Sequence, residues 1–189
     1  MSTVVYVGID QSYSGFAIVF YSPRHGDYTS WVREFPAAKY GKGVDRLNTI
    51  GQWLDDQFTM AEGDLRQTIG HVCMEGYSMG AKQGREQSGE LGATVKSILW
   101  TWSIYPTIVA PTSLKKFVTG KGNSAKNEML LAVYKKWGAE FHNDNEADAY
   151  GLARMAEYLD AGVPPGAPKY ERDTIAALTP ETERFPPLT

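Results

Sequence analysis

Three acidic residues stand at positions where an acid is costly. Asp10 closes the apolar run Val4-Val5-Tyr6-Val7-Gly8-Ile9, and Glu75 closes Val72-Cys73-Met74; both runs read as buried strands. Asp148 lies in a helical pattern on one face with Leu152, Met155 and Leu159, at offsets of 4, 7 and 11. Such an apolar stripe turns toward the core. A single charge ending a strand needs no function to explain it, so that reading stays open for Asp10 and for Glu75 taken alone. An ionised carboxylate on a core-facing stripe is different, because it is unfavourable without a partner. Carboxylates brought together from two strand ends and a helix face repel one another unless cations bind between them, and hard oxygen donors suit Mg2+ or Mn2+. Two such ions about 4 Å apart can activate a water and stabilise the leaving oxygen in phosphodiester cleavage. Convergence of the three acids is the hypothesis that this chemistry requires.

The acids around Asp148 have local explanations. Asn143 and Glu146 have the spacing of a capping box, with Asn143 as the cap. Asp144 then falls in the first turn, where its charge complements the helix dipole, and Asn145 shares the face of Asp148. A second concentration of chemistry is basic. Residues 111–138 hold Lys115, Lys116, Lys121, Lys126, Lys135 and Lys136 against Glu128 alone, a net charge of +5. Gly120 and Gly122 permit close backbone approach, and the N-terminus of the helix that follows favours a phosphate. The same lysines also read as a solvated loop.

The elements that must hold these residues follow from periodicity. Residues 4–10, 15–21 and 29–35 read as three closely spaced strands, an antiparallel meander closing at Pro36. A helix is expected at 44–60, a strand at 69–75 and a polar glycine-rich stretch at 76–90. A second helix is expected at 88–103, with Leu91, Val95, Ile98, Leu99 and Trp102 on one apolar face. A short strand at 106–110 leads through Pro111 into a basic loop, and helices follow at about 124–137 and 144–160. Strands followed by alternating strand and helix describe a mixed sheet with helices packed on it, an α/β fold. One domain is expected over 1–161. The segment 162–189 holds 6 of the 10 prolines, so it is expected to be extended or disordered.

Composition excludes several classes. The chain has 189 residues, 42% hydrophobic and 22% charged, with a net charge of -3. That amount of apolar residue supports a core and does not fit a disordered chain. No run of about 18 apolar residues is present, so no membrane span is expected. The one cysteine, Cys73, allows no internal disulfide, and a reducing cytoplasmic location is expected. Net acidity does not exclude a polyanionic partner, because the charge is segregated: residues 139–189 carry a net of -6 beside the +5 segment.

Gly8-Ile9-Asp10 with Gly15-Phe16-Ala17-Ile18-Val19, then Met74-Glu75, then Ala147-Asp148-Ala149, resembles the RuvC-like branch of the RNase H superfamily. The segment from Leu114-Lys115-Lys116 through Gly120-Lys121-Gly122 to Ser124-Ala125-Lys126 is similar to that family's basic pair, glycine-flanked turn and helix-starting lysine. Gly89-Glu90-Leu91-Gly92 fits as well, and the ordered blocks span residues 4 to about 158, in the manner of divergent phage or bacterial resolvases.

The resemblance implies an RNase H-like mixed five-stranded sheet, three strands antiparallel and two parallel, flanked by helices. It implies a homodimeric, Mg2+- or Mn2+-dependent endonuclease of DNA recombination and repair, with two ions per site, cutting four-way (Holliday) junctions by paired nicks. Asp10, Glu75 and Asp148 match family metal ligands. The family's fourth acid falls at Asn145, whose amide oxygen can ligate Mg2+ but brings no charge; Asp144, on the same face, is the alternative. Gln11-Ser12 stands where the family has Pro-Gly. Lys115, Lys116, Lys121 and Lys126 become phosphate contacts. Tyr77 and Met79 could wedge between bases at an open junction, with Lys82 and Arg85 holding the backbone beside them; packing of Tyr77 under its loop is equally open. The apolar helix face at 91–102 is core by default, and in this family the matching helix also pairs subunits.

Other readings differ in class. Sugar kinases and Hsp70-like ATPases also open on a strand ending in Asp, but they need two such domains, and no Walker-type phosphate loop occurs here; no nucleotide cofactor is expected. A junction-binding module with a weakened metal site is a second alternative, and a nuclease acting on flaps or forks is a third.

Overall fold

In the computed structural model of the chain, residues 3–65, 67–76 and 85–178 are described. Its elements run β1 (Thr3–Asp10), β2 (Phe16–Ser22), β3 (Asp27–Arg33), α1 (Ala37–Tyr40), α2 (Val44–Leu65), β4 (Gln67–Glu75), α3 (Arg85–Thr101), β5 (Thr107–Val109), α4 (Pro111–Thr119), α5 (Lys126–Trp137), α6 (Asp144–Ala161) and α7 (Lys169–Ala177). The strands form one sheet in the order β3-β2-β1-β4-β5. β1, β2 and β3 pair antiparallel, while β4 runs parallel to both β1 and β5. The meander and the mixed α/β sheet stand as the sequence predicts.

Strand alternation sorts the side chains into two cores. Val5, Val7 and Ile9 of β1 join Phe16, Ile18 and Phe20 of β2 under α2 and α3, with Ile50, Leu54, Phe58, Leu91, Val95 and Leu99. Tyr6 of β1 and Ala17, Val19 and Tyr21 of β2 face the other way, toward α4, α5 and α6. On α3 the apolar face is therefore spent on the core, and Trp102 anchors it to α2 by donating its indole N–H to Asp55 at 2.7 Å. On the opposite side α6 lies directly on β1. A Cβ at Gly8 would overlap the backbone of Ala149 and Ala153, so only glycine allows this approach. Nine residues of α6 are buried; the helix is a central element of the layer, and its Asp148 is carried into the interior with it.

Two expectations need correction. The segment after Pro111 is a helix, α4, with Pro111 in its first turn and Leu114, Phe117 and Val118 buried. Proline suits a first turn because the N–H it lacks would be unpaired there. The proline-rich segment after residue 161 contains α7, whose Thr174 and Ile175 are buried with Glu171. Pro168 is its N-cap residue, so proline here starts a helix. Lys136 rivets α7 to α4: its ammonium donates to the carbonyls of Phe117 and Val118 at 3.0 Å and meets the Glu171 carboxylate at 2.5 Å. Residues 179–189 lie outside the described residues. No described helix is long and apolar enough to cross a membrane.

Candidate metal centre

Strand parity decides which face the acids take. On β1, Asp10 follows Tyr6 and Gly8 onto the α6 face. On β4, Ile69 packs with Val72 and Met74 under α2 and α3, although Ile69 and Val72 are three residues apart. The pairing explains the break: Val5 sits opposite Ile69, but Tyr6 sits opposite His71, so Gly70 is an extra residue in β4. Such a bulge reverses the alternation beyond it. Glu75 consequently shares the face of Cys73, turned toward α6 and alongside Asp10. Gly70 is crowded, since a Cβ there would lie 2.7 Å from the Tyr6 ring and 2.8 Å from Val4.

Carboxylate oxygens of Asp10, Glu75 and Asp148 all lie within 4.8 Å of one another. Asp10 is buried, 7% exposed. Burial holds its carboxyl well above the usual range, and the charges of Glu75 and Asp148 push it further. Glu75 is raised by burial, opposed by its hydrogen bond with Asp10 and by the nearby Lys115 charge. Asp148 is pushed up to about 7 by burial first, then by Glu75 and Asp144, with Lys115 and Lys126 acting against the rise. Its Oδ1 is buried and has no hydrogen-bond partner among the described residues. Three crowded carboxyls, one with an unpaired oxygen, make a donor set that fits a hard divalent cation.

The remaining candidates divide by position. Asp144 is ion-paired with Lys126. The Asn145 side-chain amide packs over Gly15, where a Cβ would collide with its Nδ2. Asn143 caps α6, its Oδ1 accepting from the Asn145 amide at 2.8 Å. The expected capping box is only half formed, because Glu146 instead accepts from Ser30 Oγ at 2.7 Å, a partner far away in sequence. Lys115 and Lys126 act on the carboxylates from α4 and α5. Lys116 and Lys121 are exposed. Lys121 sits in a turn whose Thr119 hydroxyl accepts from the Lys121 amide and shares a hydrogen bond with Ser124 Oγ at 2.5 Å. The glycines there serve the chain itself: Gly120 ends α4 at φ 83°, and a Cβ at Gly122 would lie 3.2 Å from the Thr112 carbonyl. At the start of α5 the Ala125 amide is already taken by the Glu128 carboxylate at 2.8 Å, which weakens the expectation of a phosphate at that helix end. Tyr77, Met79 and Lys82 lie outside the described residues; Arg85 opens α3, and its side chain lies outside them too.

Sequence reasoning gave Gln11 no role. Its Nε2 donates to the Glu75 carbonyl at 2.9 Å, tying the residue after Asp10 to the strand end that bears Glu75. Gln11 Oε1 and Ser12 Oγ are buried without partners among the described residues. The only sequence signal was that Gln11-Ser12 departs from the family pattern.

No family model and no curated protein matches the sequence. Solved structures do match in fold. Thermus thermophilus RuvC is similar over 80% of this chain and 90% of its own, at 15% identity and a TM-score of 0.59. T. thermophilus RuvC in complex with a Holliday junction substrate is similar over 81% of this chain and 91% of its own, at 16% identity and a TM-score of 0.60.

Proposed function

We propose that this chain, which has the RNase H-like fold of RuvC, is a divalent-metal-dependent endonuclease that resolves four-way DNA junctions by paired nicks from a homodimer. The observation that carries the reading is the meeting of Asp10, Glu75 and Asp148 within 4.8 Å at the end of the sheet, on a fold whose RuvC example has been solved with a Holliday junction.

Asp10, Glu75 and Asp148 would hold Mg2+ or Mn2+, two ions in the reading adopted here. Bound there, the ions supply activation of a water and neutralisation of charge at the phosphodiester. The protein's own part is placement. Two ligands stand on adjacent parallel strands and the third on the helix packed over them, so the set is rigid before substrate arrives. Gln11 holds the ends of β1 and β4 in register through the Glu75 carbonyl. Lys115 and Lys126 reduce repulsion among the acids; Lys115 can also meet a phosphate, and Lys126 can do so by exchanging its Asp144 partner. Asp144 must release Lys126 before it can serve as a fourth ligand, and Asn145 must leave Gly15. The centre therefore rests on three acids.

A junction-binding module with weak metal affinity is the second reading, favoured only by that missing fourth charge. Cleavage of end-labelled four-way junction, fork, flap and linear duplex in Mg2+ and in Mn2+ separates the cases. Symmetric nicks confined to the junction support resolution, and preference for forks or flaps would move the substrate. Tight binding without cutting under either metal would leave the module.

A further inference from the structure

Away from α4 and α5, a second group of cations flanks the carboxylate centre. Asp10 lies opposite Ala17, and Ala17 lies opposite Val32, so the end of β3 is two strands from Asp10, about 10 Å at the usual strand spacing. Arg33 ends β3 there and pairs with Phe16, a residue of the core under α2 and α3, so it turns to the α2 face of the sheet end while Asp10 turns to the α6 face. The chain then returns to the loop that follows Asp10, the Phe35 amide donating to the Tyr13 carbonyl at 2.9 Å. Arg46, from the first turn of α2, closes the same knot. Its guanidinium lies over the Tyr13 ring at 3.8 Å and donates to the Phe35 carbonyl. Arg33 stacks against Phe35 and Tyr40, and donates to the Tyr40 hydroxyl at 3.2 Å. Lys39 sits 5.1 Å from the Tyr40 ring. Lys42 is exposed between Gly41 and Gly43, both at positive φ.

Four cations thus occupy one edge of the molecule within fourteen residues. Glu34 and Asp45 are their acidic neighbours in sequence. Even so, none of the four cations makes an ion pair among the described residues. Aromatic rings hold the two arginines and Lys39 in place without an ion pair, and four cations against two acids leave the segment net positive, an arrangement suited to an external polyanion. An open cavity of about 410 Å³ lined by Tyr13, Ser14, Glu34, Pro36 and Arg46 lies in the same place.

We propose that Arg33, Lys39, Lys42 and Arg46 form a second phosphate track, which holds the backbone of a duplex arm on the α2 face of the sheet end, opposite the face that carries the acids, α4 and α5. The proposal rests on the nuclease reading and names how that substrate is held. The duplex arm is then held on the α2 face of the sheet end while the acids act from the α6 face. Because the contacts go to phosphate, they carry no sequence preference.

Lys39 and Lys42 are exposed, and the side chain of Lys39 meets only its neighbour Tyr40, so the double variant Lys39→Gln/Lys42→Gln tests the track. The measurement is affinity for a four-way junction across a salt series, without divalent metal, for the wild type, this variant and Lys39→Arg/Lys42→Arg. The expected result is a salt slope shallower by about 2 in the glutamine variant, with weaker binding at low salt, and a slope restored by the arginines. Unaltered thermal unfolding in all three shows that the fold is intact. An unchanged slope and affinity in the glutamine variant would overturn the track while leaving the nuclease reading standing. Failure of the wild type to bind any DNA would overturn both.

Discussion

Metal-free protein should be less stable in mild base than in mild acid, and a divalent cation should remove the difference. The Asp148 carboxyl is held at about 7 against an ordinary 3.8, so the folded state keeps this proton longer than the unfolded state does. Stability from this group is highest below about pH 4 and falls as pH rises through about 7, the buried charge being fully formed only above that. The loss is about 4 kcal/mol at about 1.4 kcal/mol per pH unit. Asp10 moves in the same direction, its carboxyl being raised by burial and by Glu75. Between about pH 5 and about pH 8 about 3 kcal/mol of the Asp148 loss is expressed, which for a chain of this size corresponds to a fall in Tm of about 8 °C. Thermal unfolding at about pH 5 and about pH 8, in chelator and in millimolar Mg2+, reads this directly. We expect Tm in chelator to be lower at the higher pH, and Mg2+ to raise Tm at the higher pH far more than at the lower. Asp148→Asn should weaken this dependence, leaving the part due to Asp10 and Glu75, and should exceed the wild type at high pH in chelator. Equal Tm at both pH values in chelator, or stabilisation by Mg2+ that ignores pH, would refute the electrostatic reasoning.

Other consequences are local. Gly70→Ala should lower stability by about 1–3 kcal/mol in urea unfolding, because the added carbon meets the Tyr6 ring and Val4 at the bulge; a cost below about 0.5 kcal/mol would mean the bulge has room. Glu171→Ala strands the Lys136 ammonium between α4 and α7 and should cost about 3 kcal/mol, with faster hydrogen exchange along α7. Uniform exchange in that variant would show that the ion pair does not fasten the helix. Gln11→Ala should weaken Mg2+ binding about tenfold by calorimetry with Tm in chelator little changed, since the bond it loses orients a ligand strand; unaltered Mg2+ affinity would remove Gln11 from the account.

How much of this was legible varied with the range of the interaction involved. Asp10 and Asp148 stood out because the sequence itself shows an acid ending an apolar run or interrupting an apolar stripe, and Asn143 because capping is a matter of neighbouring residues. The face taken by Glu75 was not legible, since it depends on one extra residue in β4 that only strand pairing reveals. Pro111 and the surrounding lysines concealed α4, whose buried positions at 114, 117 and 118 follow a helical spacing all the same. Proline count concealed α7 in the same way. Glu146 was read as half of a capping box because the reading was local, yet its partner is Ser30 on β3. Arg33 and Arg46 meet through Phe35, Tyr40 and Tyr13, an association made by a strand end, a loop and a helix start coming together in space.

The central claim is that these three acids, with a divalent cation, cut branched DNA. Single-turnover nicking of a labelled four-way junction in Mg2+ by the wild type, Asp10→Asn and Glu75→Gln, with binding measured in parallel, tests it most directly. Paired nicks by the wild type should vanish in chelator and in both variants, while both variants still bind the junction. Cutting that persists in chelator or in Asp10→Asn would contradict it.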